Sequence, residues 1–259
     1  MRIDCNVFAG NWPFRKIRRN SVESVAELHK KYGISGGYIS SLNAIFYNDP
    51  TEADIDLAKE LENYPNYRQV ITVNPALPGA CESFRYMIEK LNPAGVRVYP
   101  NYHDFTLHSE EFEKVCEIAE ENNLPLFLTL RMEDFRAEYM IYSKTIEMWD
   151  VCGFIQRHPN FPIVLCGIKC SELAWLVKKI PGQKNFFAET SGMREGEIAT
   201  ERLYENGVSR HMVFGSCAPL FTLLNGLYVF ENASVPEKLL EEIMSGRFFA
   251  ESIDAKYRL

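Results

Sequence analysis

Apolar and polar residues along this chain form two alternating patterns: a short apolar run, then a longer segment with apolar residues at helical spacing. The short runs, rich in β-branched and aromatic residues, predict eight strands, at residues 2–7, 37–41, 69–73, 95–99, 124–130, 162–166, 185–190 and 211–214. The longer segments predict eight helices, at residues 22–32, 52–61, 84–91, 111–122, 141–158, 171–179, 195–206 and 238–244. Each predicted strand is therefore followed by one predicted helix.

This alternation predicts a parallel sheet with helices outside it. The runs 124–130 and 162–166 are apolar throughout, which is typical of strands buried on both faces. The 259 residues match the roughly 250 that eight strand–helix units need. The sequence therefore predicts an α/β fold, one (β/α)8 TIM barrel domain over residues 1–259. The alternative, an open doubly wound sheet, would carry a glycine-rich phosphate turn after an early strand, and the sequence has none there.

Charge and cysteine usage bear on partners and compartment. The net charge of −7 disfavours nucleic acid as a partner, because nucleic-acid-binding domains usually present a basic face. The local cluster Arg15, Lys16, Arg18 and Arg19 is interpreted as a solvated loop, with a basic patch as the alternative. Seven scattered cysteines, an odd number, do not resemble a disulfide framework and indicate a reducing, cytoplasmic location.

The chain also lacks the sequence features of membrane association and export. No apolar run approaches the roughly 20 residues of a membrane span, and the first residues lack the layout of a signal peptide. We therefore expect a small-molecule substrate or ligand as the partner, no nucleic acid and no membrane, with a homodimer as the default assembly.

Ionisable residues follow several predicted strands, where barrel proteins place their chemistry. His103 follows the fourth strand and, with an ordinary pKa of about 6.5, suits proton transfer; the alternative is a loop histidine bonded to backbone. Glu133 follows the fifth strand and is a candidate acid or base, although Asp134 and Arg136 beside it also fit a structural ion-pair cluster. Glu189 ends the seventh strand between apolar residues, so it either enters the mouth or pairs structurally with Arg97 or Arg131.

Further polar residues at the strand ends are candidates for contacts with an oxygen-rich substrate. The substrate-binding candidates are Asn6, Arg15, Asn101, Arg131, Ser216 and Cys217. Cys217 is also a possible nucleophile, but no neighbouring base is visible in the sequence. Trp12, Phe14 and Tyr102 are expected to form apolar walls over the mouth.

Five segments, in this order and spacing, resemble the amidohydrolase-related family of metal-dependent hydrolases. They are IDCNVFAG, GVRVYPNYHDFTLHSEEFEKVCEIAEENNLPLFL, HPNFPIVLCG, NFFAETSG and HMVFGSCAPL, and the closing segment SVPEKLLEEIMSGRFFAES resembles the family's last helix. The resemblance implies a (β/α)8 barrel independently of the periodicity. It also implies hydrolysis of C–N or C–O bonds, or decarboxylation, with a divalent metal that is commonly zinc.

The metal-binding positions depart from the family's pattern. The His-x-His pair of the first strand falls on Asn6 and Phe8, the histidines of the fifth and sixth strands fall on Thr129 and Gly167, and the aspartate of the eighth strand falls on Cys217. Zinc needs three or four converging N, S or O ligands, and this set does not supply them. We therefore expect no cofactor and no metal ligands. The segments GNWPFR, PNYH and MEDFR resemble a branch of the family in which this pattern is degraded.

Two functions remain open. The first is an amidohydrolase-like hydrolase, or a lyase or decarboxylase, that acts on a small polar or carboxylated substrate with His103, Glu133 and Glu189. The second is a catalytically inactive barrel that binds a small ligand. A third, weaker hypothesis is a non-standard metal held by some of His103, Glu133, Glu189 and Cys217.

Overall fold

The part of the chain that the structure describes forms eight short strands, each parallel to its neighbours in the sequence. The computed structural model describes residues 1–133, 145–193 and 197–259. The strands are β1 (Ile3–Ala9), β2 (Gly36–Ser41), β3 (two segments, Tyr67–Gln69 and Ile71–Thr72), β4 (Val96–Val98), β5 (Leu126–Thr129), β6 (Ile163–Cys166), β7 (Phe186–Glu189) and β8 (Met212–Val213). All eight coincide with predicted strands to within a few residues.

Strand β3 changes its pairing partner in the middle. Its first segment pairs with β2 and its second segment pairs with β4. Val70, between the two segments, donates its backbone N–H to Ile39 at 2.8 Å, and Ala94 donates to Gln69 at 2.8 Å. These bonds make β2, β3 and β4 one continuous wall.

Backbone bonds between β1 and the residues that follow β8 close the sheet. Phe8 donates to the carbonyl of Ala218 at 2.8 Å, and Cys217 donates to the carbonyl of Asn6 at 2.7 Å. Val7 and Ala218 also form a parallel bridge. The eight strands are thus a closed (β/α)8 barrel, and the predicted fold is confirmed.

Helices surround the barrel and lie across its two ends. They are α1 (Val22–Lys31), α2 (Pro50–Leu61), α3 (Ala80–Leu91), α4 (Pro100–His103), α5 (Glu110–Glu121), α6 (Met148–Arg157), α7 (Cys170–Lys179), α8 (Glu197–Glu205), α9 (Leu223–Glu231), α10 (Glu237–Met244) and α11 (Arg247–Ser252). Within the described ranges, no helix has the length and apolar character that crossing a membrane would require.

Helices α2, α3 and α6 begin at other residues than predicted. Helix α3 begins at Ala80, four residues before the predicted start at residue 84. Helix α2 begins at Pro50, because Asp49 rather than Thr51 is the N-cap and accepts the Thr51 N–H at 2.9 Å. Helix α6 begins at Met148, so residues 145–147 of the predicted helix 141–158 are not helical, and residues 141–144 lie outside the described residues. The extended backbone of Glu147 (ψ 134°) is the physical start of this helix.

Helices α4, α9 and α11 were not predicted. Helix α4 is a single turn, and α9 is apolar on most sides, so neither shows the periodicity of an amphipathic helix. Helix α11 supplies Phe249, whose ring packs edge-on against Tyr38 and Phe127 at centroid distances of 5.4 and 5.8 Å. Phe249 thereby fills the N-terminal end of the barrel, which leaves the C-terminal end for a ligand.

Candidate functional site

A fully buried carboxylate, Glu189, lies at the C-terminal end of β7. Its Oε1 accepts the backbone N–H of Gly167 at 2.6 Å and the hydroxyl of Ser191 at 2.8 Å, and its Oε2 accepts the Ser191 N–H at 2.8 Å. Burial raises the pKa of Glu189, and these hydrogen bonds, together with one from Asn6, lower it by less. The net effect is a carboxyl with a raised pKa, fixed in position by three elements of the barrel.

A second charged group, the guanidinium of Arg97 on β4, occupies the barrel interior. It is fully buried. Its Nη1 donates to Oδ1 of Asn6 at 2.8 Å and, more weakly, to Oγ1 of Thr129 at 3.4 Å. The ring of Phe8 lies 4.7 Å from the guanidinium carbon, a cation–π contact. Asn6 therefore connects Arg97 to Glu189 through hydrogen bonds on either side of its amide.

A cluster of buried side chains covers these charged groups; we call it the apolar cap. The cap consists of Phe8, Trp12, Leu42, Ile45, Tyr99, Met132, Cys217 and Leu220. Trp12 packs edge-on against Phe14 and Tyr102, with ring centroids 5.5 and 6.2 Å apart. The three aromatic residues expected to wall the mouth are therefore neighbours.

Glu133 and Arg15 meet at the outer edge of the cap. The Oε1 of Glu133 accepts the Trp12 indole N–H at 3.0 Å and the Arg15 Nε–H at 3.3 Å. Arg15 also donates to the carbonyl of Leu220. Glu133 thus fixes cap residues, and its carboxylate lies apart from the Glu189 network. Asp134 and Arg136 lie outside the described residues.

His103 and Asn101 lie on α4, immediately after β4. The ring of His103 is buried, and its Nε2 lies 3.0 Å from the carbonyl of Ile45. Burial lowers the pKa of His103 to about 4, because the charged form loses its solvation, so the imidazole is neutral at pH 7 and donates to Ile45. Its Nδ1 is then a buried acceptor without a partner in the described chain. Asn101 donates to the carbonyl of Leu130 at 3.1 Å, while its Oδ1 is likewise unpartnered.

Arg131 pairs with Glu172 on α7, and not with Glu189. The two side chains form a bidentate ion pair at 2.6 and 2.8 Å, and Nη1 of Arg131 also donates to the carbonyl of Gly167 at 3.0 Å. Glu172 further accepts the backbone N–H of Lys169 at 3.0 Å. This predicted substrate-binding arginine therefore ties the end of β5 to the start of α7.

Ser216 and Cys217 lie just after β8. The backbone N–H of Ser216 donates to Asp4 at 2.9 Å, and its hydroxyl donates to the other oxygen of the same carboxylate. The Oγ of Ser216 in turn accepts the Ala218 N–H at 2.9 Å. Cys217 is buried in the cap with a left-handed backbone (φ 53°).

A cleft of about 590 Å³ opens beside the cap and is lined by the residues that follow Glu189 in the chain. Its polar wall includes Thr190, Ser191 and Ser216, and its apolar wall includes Leu224 and Tyr228 of α9. This volume lies within the roughly 300–1,000 Å³ of small-molecule sites. Residues adjoining Glu189 and Asp4 are therefore in contact with a space that a small ligand fits.

A smaller cleft of about 270 Å³ lies at the rim of the same end of the barrel. The basic cluster lines it together with Thr222, so the four cations named in the sequence stand side by side: Arg15, Lys16, Arg18 and Arg19. We call this feature the cationic rim.

Neither a protein-family model nor a curated protein sequence matches the chain. Solved structures match it over nearly its whole length. A Staphylococcus aureus protein, provisionally assigned as an amidohydrolase, has a TM-score of 0.73 at 12% identity and covers 97% of this chain and 99% of its own. A dihydroxybenzoic acid decarboxylase of Polaromonas sp. JS666, with bound manganese and 2-nitroresorcinol, has a TM-score of 0.73 at 14% identity, with 99% and 98% covered. A 5-carboxyvanillate decarboxylase of Sphingomonas paucimobilis has a TM-score of 0.71 at 16% identity, with 97% and 98% covered.

The chain has the fold of these proteins. This agrees with the fold that the sequence resemblance implies. At 12–16% identity the similarity establishes the architecture alone.

The residues at the expected metal positions do not fit a divalent metal. The oxygens of Asn6 and Thr129 both accept hydrogen bonds from the Arg97 guanidinium, so a metal ion bound to both would stand against a buried positive charge. Gly167 has no side chain, and a Cβ at that position would lie 2.5 Å from the carbonyl oxygen of Arg131. Among the residues that the structure describes, no three His, Cys, Asp or Glu side chains form a group able to hold a metal. The hypothesis of a site built from His103, Glu133, Glu189 and Cys217 is therefore not supported.

Four of the predicted site residues thus fall into two groups, and the others make separate contacts. Glu189 and Asn6 belong to the interior network, and Glu133 and Arg15 belong to the edge of the cap. The sequence did not reveal that Arg97 lies at the centre of this network, because Arg97 was considered only as an ion-pair partner of Glu189. The available signal was a charged residue at the inward position of the short apolar strand VRV.

Proposed function

We propose that this chain is a divergent enzyme of the amidohydrolase-related family, a hydrolase or lyase that acts on a small polar or carboxylated molecule at the C-terminal end of its barrel. The observation that carries the proposal is Glu189, a buried carboxyl with a raised pKa that is held by four hydrogen bonds and adjoins Thr190, Ser191 and Gly215, which line a cleft of about 590 Å³. Titratable groups shifted in this way, next to a cleft, are typical of acid–base sites.

Glu189 would supply or remove the proton in either reaction. In a decarboxylation, the bond from the substrate carbon to its carboxylate breaks, CO2 leaves, and the electron pair left on carbon takes the proton of Glu189. In a hydrolysis, Glu189 takes a proton from water as the water oxygen bonds to the carbonyl carbon, and returns it to the leaving group. Ser191 and Gly167 hold the carboxyl in one orientation throughout.

The test is a turnover screen of the full chain with small aromatic and aliphatic carboxylates, esters and lactones. Turnover is measured as release of CO2 or of protons. For any compound turned over, Glu189→Gln is expected to lower kcat by about a hundredfold or more, since it removes the exchangeable proton. The matched control is Glu231→Gln, which removes an exposed carboxylate that pairs with Arg2 at the opposite end of the barrel. Equal kcat in both variants would remove Glu189 from the mechanism.

The alternative, a binding protein without catalysis, is supported by a different observation. The apolar cap covers the interior, and two predicted catalytic side chains already have structural contacts: Glu133 holds Trp12, and His103 holds the backbone of Ile45. Saturable ligand binding without turnover of any compound in the screen would favour this function. The roles of His103 and Glu133 in catalysis stay predictions, to be checked by His103→Gln and Glu133→Gln in the same screen.

A further inference from the structure

The guanidinium of Arg97 lies where the family resemblance places a metal. Asn6, Phe8 and Thr129 stand where that pattern has metal-binding histidines, and all three contact Arg97. Asn6 and Thr129 accept its Nη1–H groups, and the Phe8 ring lies under its central carbon at 4.7 Å. The positive charge at this point of the barrel is therefore part of β4.

One edge of the guanidinium has no strong acceptor. Its Nε and Nη2 atoms are buried and have no oxygen or nitrogen acceptor in the ranges that the structure describes; the guanidinium also meets the thiol of Cys166, a weak acceptor. Nε–H and one Nη2–H point the same way along one edge of the planar group, whereas Nη1 is occupied by Asn6 and Thr129. Two parallel donors on one edge match the two oxygens of a carboxylate, the bidentate geometry that arginine provides and lysine does not.

We infer that Arg97 takes the place of the metal in this barrel, and that its Nε–Nη2 edge binds the carboxylate of a small organic acid without a metal ion. The inference rests on the proposed ligand site at this end of the barrel, and it holds whether or not the bound acid is turned over.

The surroundings leave the charge of Arg97 available to such a ligand. No described carboxylate forms an ion pair with it; Glu189 is connected to it only through Asn6. The nearby thiol of Cys166 supplies no negative charge, because burial raises its pKa to about 12 although Arg97 lowers it. A buried cation with two unpaired donors is costly unless an acceptor reaches it, and an anionic acceptor satisfies both the donors and the charge.

The apolar cap determines which acids reach this edge. Phe8 and Tyr99 are fully buried in the cap, and Phe8 touches the guanidinium itself. A ligand therefore has to displace cap side chains, and its own body then replaces their apolar contacts. An acid with a planar apolar body is expected to bind more tightly than formate, because it restores that contact.

Isothermal titration calorimetry of the full chain with benzoate and with formate, in a buffer that contains a metal chelator, tests the inference. We expect saturable benzoate binding by the wild type, weaker formate binding, and about a tenfold or greater loss in Arg97→Lys, which keeps the charge and removes the parallel donors. Arg157→Lys is the matched control, since Arg157 is also hydrogen bonded through its guanidinium but on the outside of the barrel. Equal losses in both variants, or no benzoate binding by the wild type, would overturn the inference.

Asn6→Asp keeps the test decisive if Arg97→Lys does not fold. The substitution preserves size and places a carboxylate against Nη1 and beside Glu189, whose raised pKa keeps a proton between the two carboxyls. One negative charge then offsets the cation without touching the Nε–Nη2 edge. Circular dichroism is expected to show a folded protein that has lost benzoate binding by about tenfold. Undiminished benzoate binding in this folded variant would overturn the inference.

The second measurement is a titration of the wild type with Mn²⁺, in which the electron paramagnetic resonance signal gives the concentration of the free ion. We expect no stoichiometric site that depends on Asn6. A 1:1 site lost in Asn6→Ala would overturn the replacement of metal by Arg97. The two proposals fail separately: benzoate binding through Arg97 without any turnover contradicts the enzyme, whereas ester or lactone turnover without carboxylate binding contradicts the role of Arg97.

Discussion

The carboxylate of Asp54 on α2 accepts the backbone N–H of Thr72 at 2.7 Å, at the point where β3 has left β2. Burial raises the pKa of Asp54 to about 8, and the bonds from Thr72 and Gln69 offset only part of the shift. Its second oxygen has no partner in the described structure, so a proton on this carboxyl relieves the cost of a buried charge.

The folded pKa of Asp54 stands above its unfolded value of about 4, so the folded state holds a proton that the unfolded chain releases. Its contribution to stability is present at low pH and is lost as the pH rises towards about 8. In urea unfolding at pH 5, 6.5 and 8.5, Asp54→Asn is expected to gain stability relative to the wild type with rising pH, by on the order of a few kcal/mol in total. Asp56→Asn, exposed on the same helix, is the control. A constant difference between wild type and Asp54→Asn would contradict the shift.

Gly215→Ala is expected to disrupt the interior network. A Cβ at Gly215 would lie 2.5 Å from Oε2 of Glu189 and 3.0 Å from Cβ of Asn6, so the Glu189 carboxylate would have to move. We expect a loss of about 2 kcal/mol or more in urea unfolding. Gly226→Ala on α9 is the control, because its Cβ meets only the Phe214 ring at 3.6 Å and alanine favours the helix. Equal stabilities of the two variants would show that Glu189 is not confined at Gly215.

Ser216→Ala is expected to destabilise the barrel closure. The change leaves one oxygen of the buried Asp4 without the Ser216 hydroxyl and leaves the Ala218 N–H without an acceptor. The expected loss is about 1–3 kcal/mol in urea unfolding, the usual cost of an unsatisfied buried group. Ser245→Ala, which removes a part-buried hydroxyl from the end of α10, should change stability much less. A neutral Ser216→Ala would instead favour its predicted role as a substrate contact.

Arg131 and Glu172 are expected to be coupled energetically. Both side chains are only partly buried, at 24% and 17% exposure, so solvent screening limits the pair to about 1 kcal/mol despite its bidentate geometry. A double-mutant cycle with Arg131→Gln and Glu172→Gln in urea unfolding measures this coupling. Strictly additive losses would mean that the ion pair contributes nothing to stability. A substrate whose turnover changes in Arg131→Gln but not in Glu172→Gln would indicate a direct contact with Arg131.

The sequence was sufficient for the barrel but not for the interior of its site. Strand and helix periodicity depend on local spacing, so the apolar runs at β5 and β6 located these strands directly. The change of pairing partner within β3 could not be predicted, because Val70 between its two segments is an ordinary strand residue. Helix α9 is apolar beyond one face, and its place beside a cleft depends on tertiary packing that no local pattern shows.

For the site, the sequence identified positions but not partners. Glu189 and Asn6 were selected from their place at strand ends, and the structure brings them into one network. Glu133 was selected by the same rule, but it holds Trp12 at the edge of the cap. The importance of Arg97 depends on three strands meeting around its guanidinium, a convergence in space that residue order along β4 does not contain.

The cationic rim gives the molecule an asymmetric electrostatic field. The chain as a whole carries a net charge of −7, yet Arg15, Lys16, Arg18 and Arg19 stand together beside a cleft at the C-terminal end of the barrel. An organic acid that diffuses towards the protein is repelled by most of the protein surface and attracted by the cationic rim. Its encounters with the protein are therefore concentrated at the C-terminal end of the barrel. The rate of association of an organic acid should therefore fall as ionic strength rises, whereas its rate of dissociation should change little.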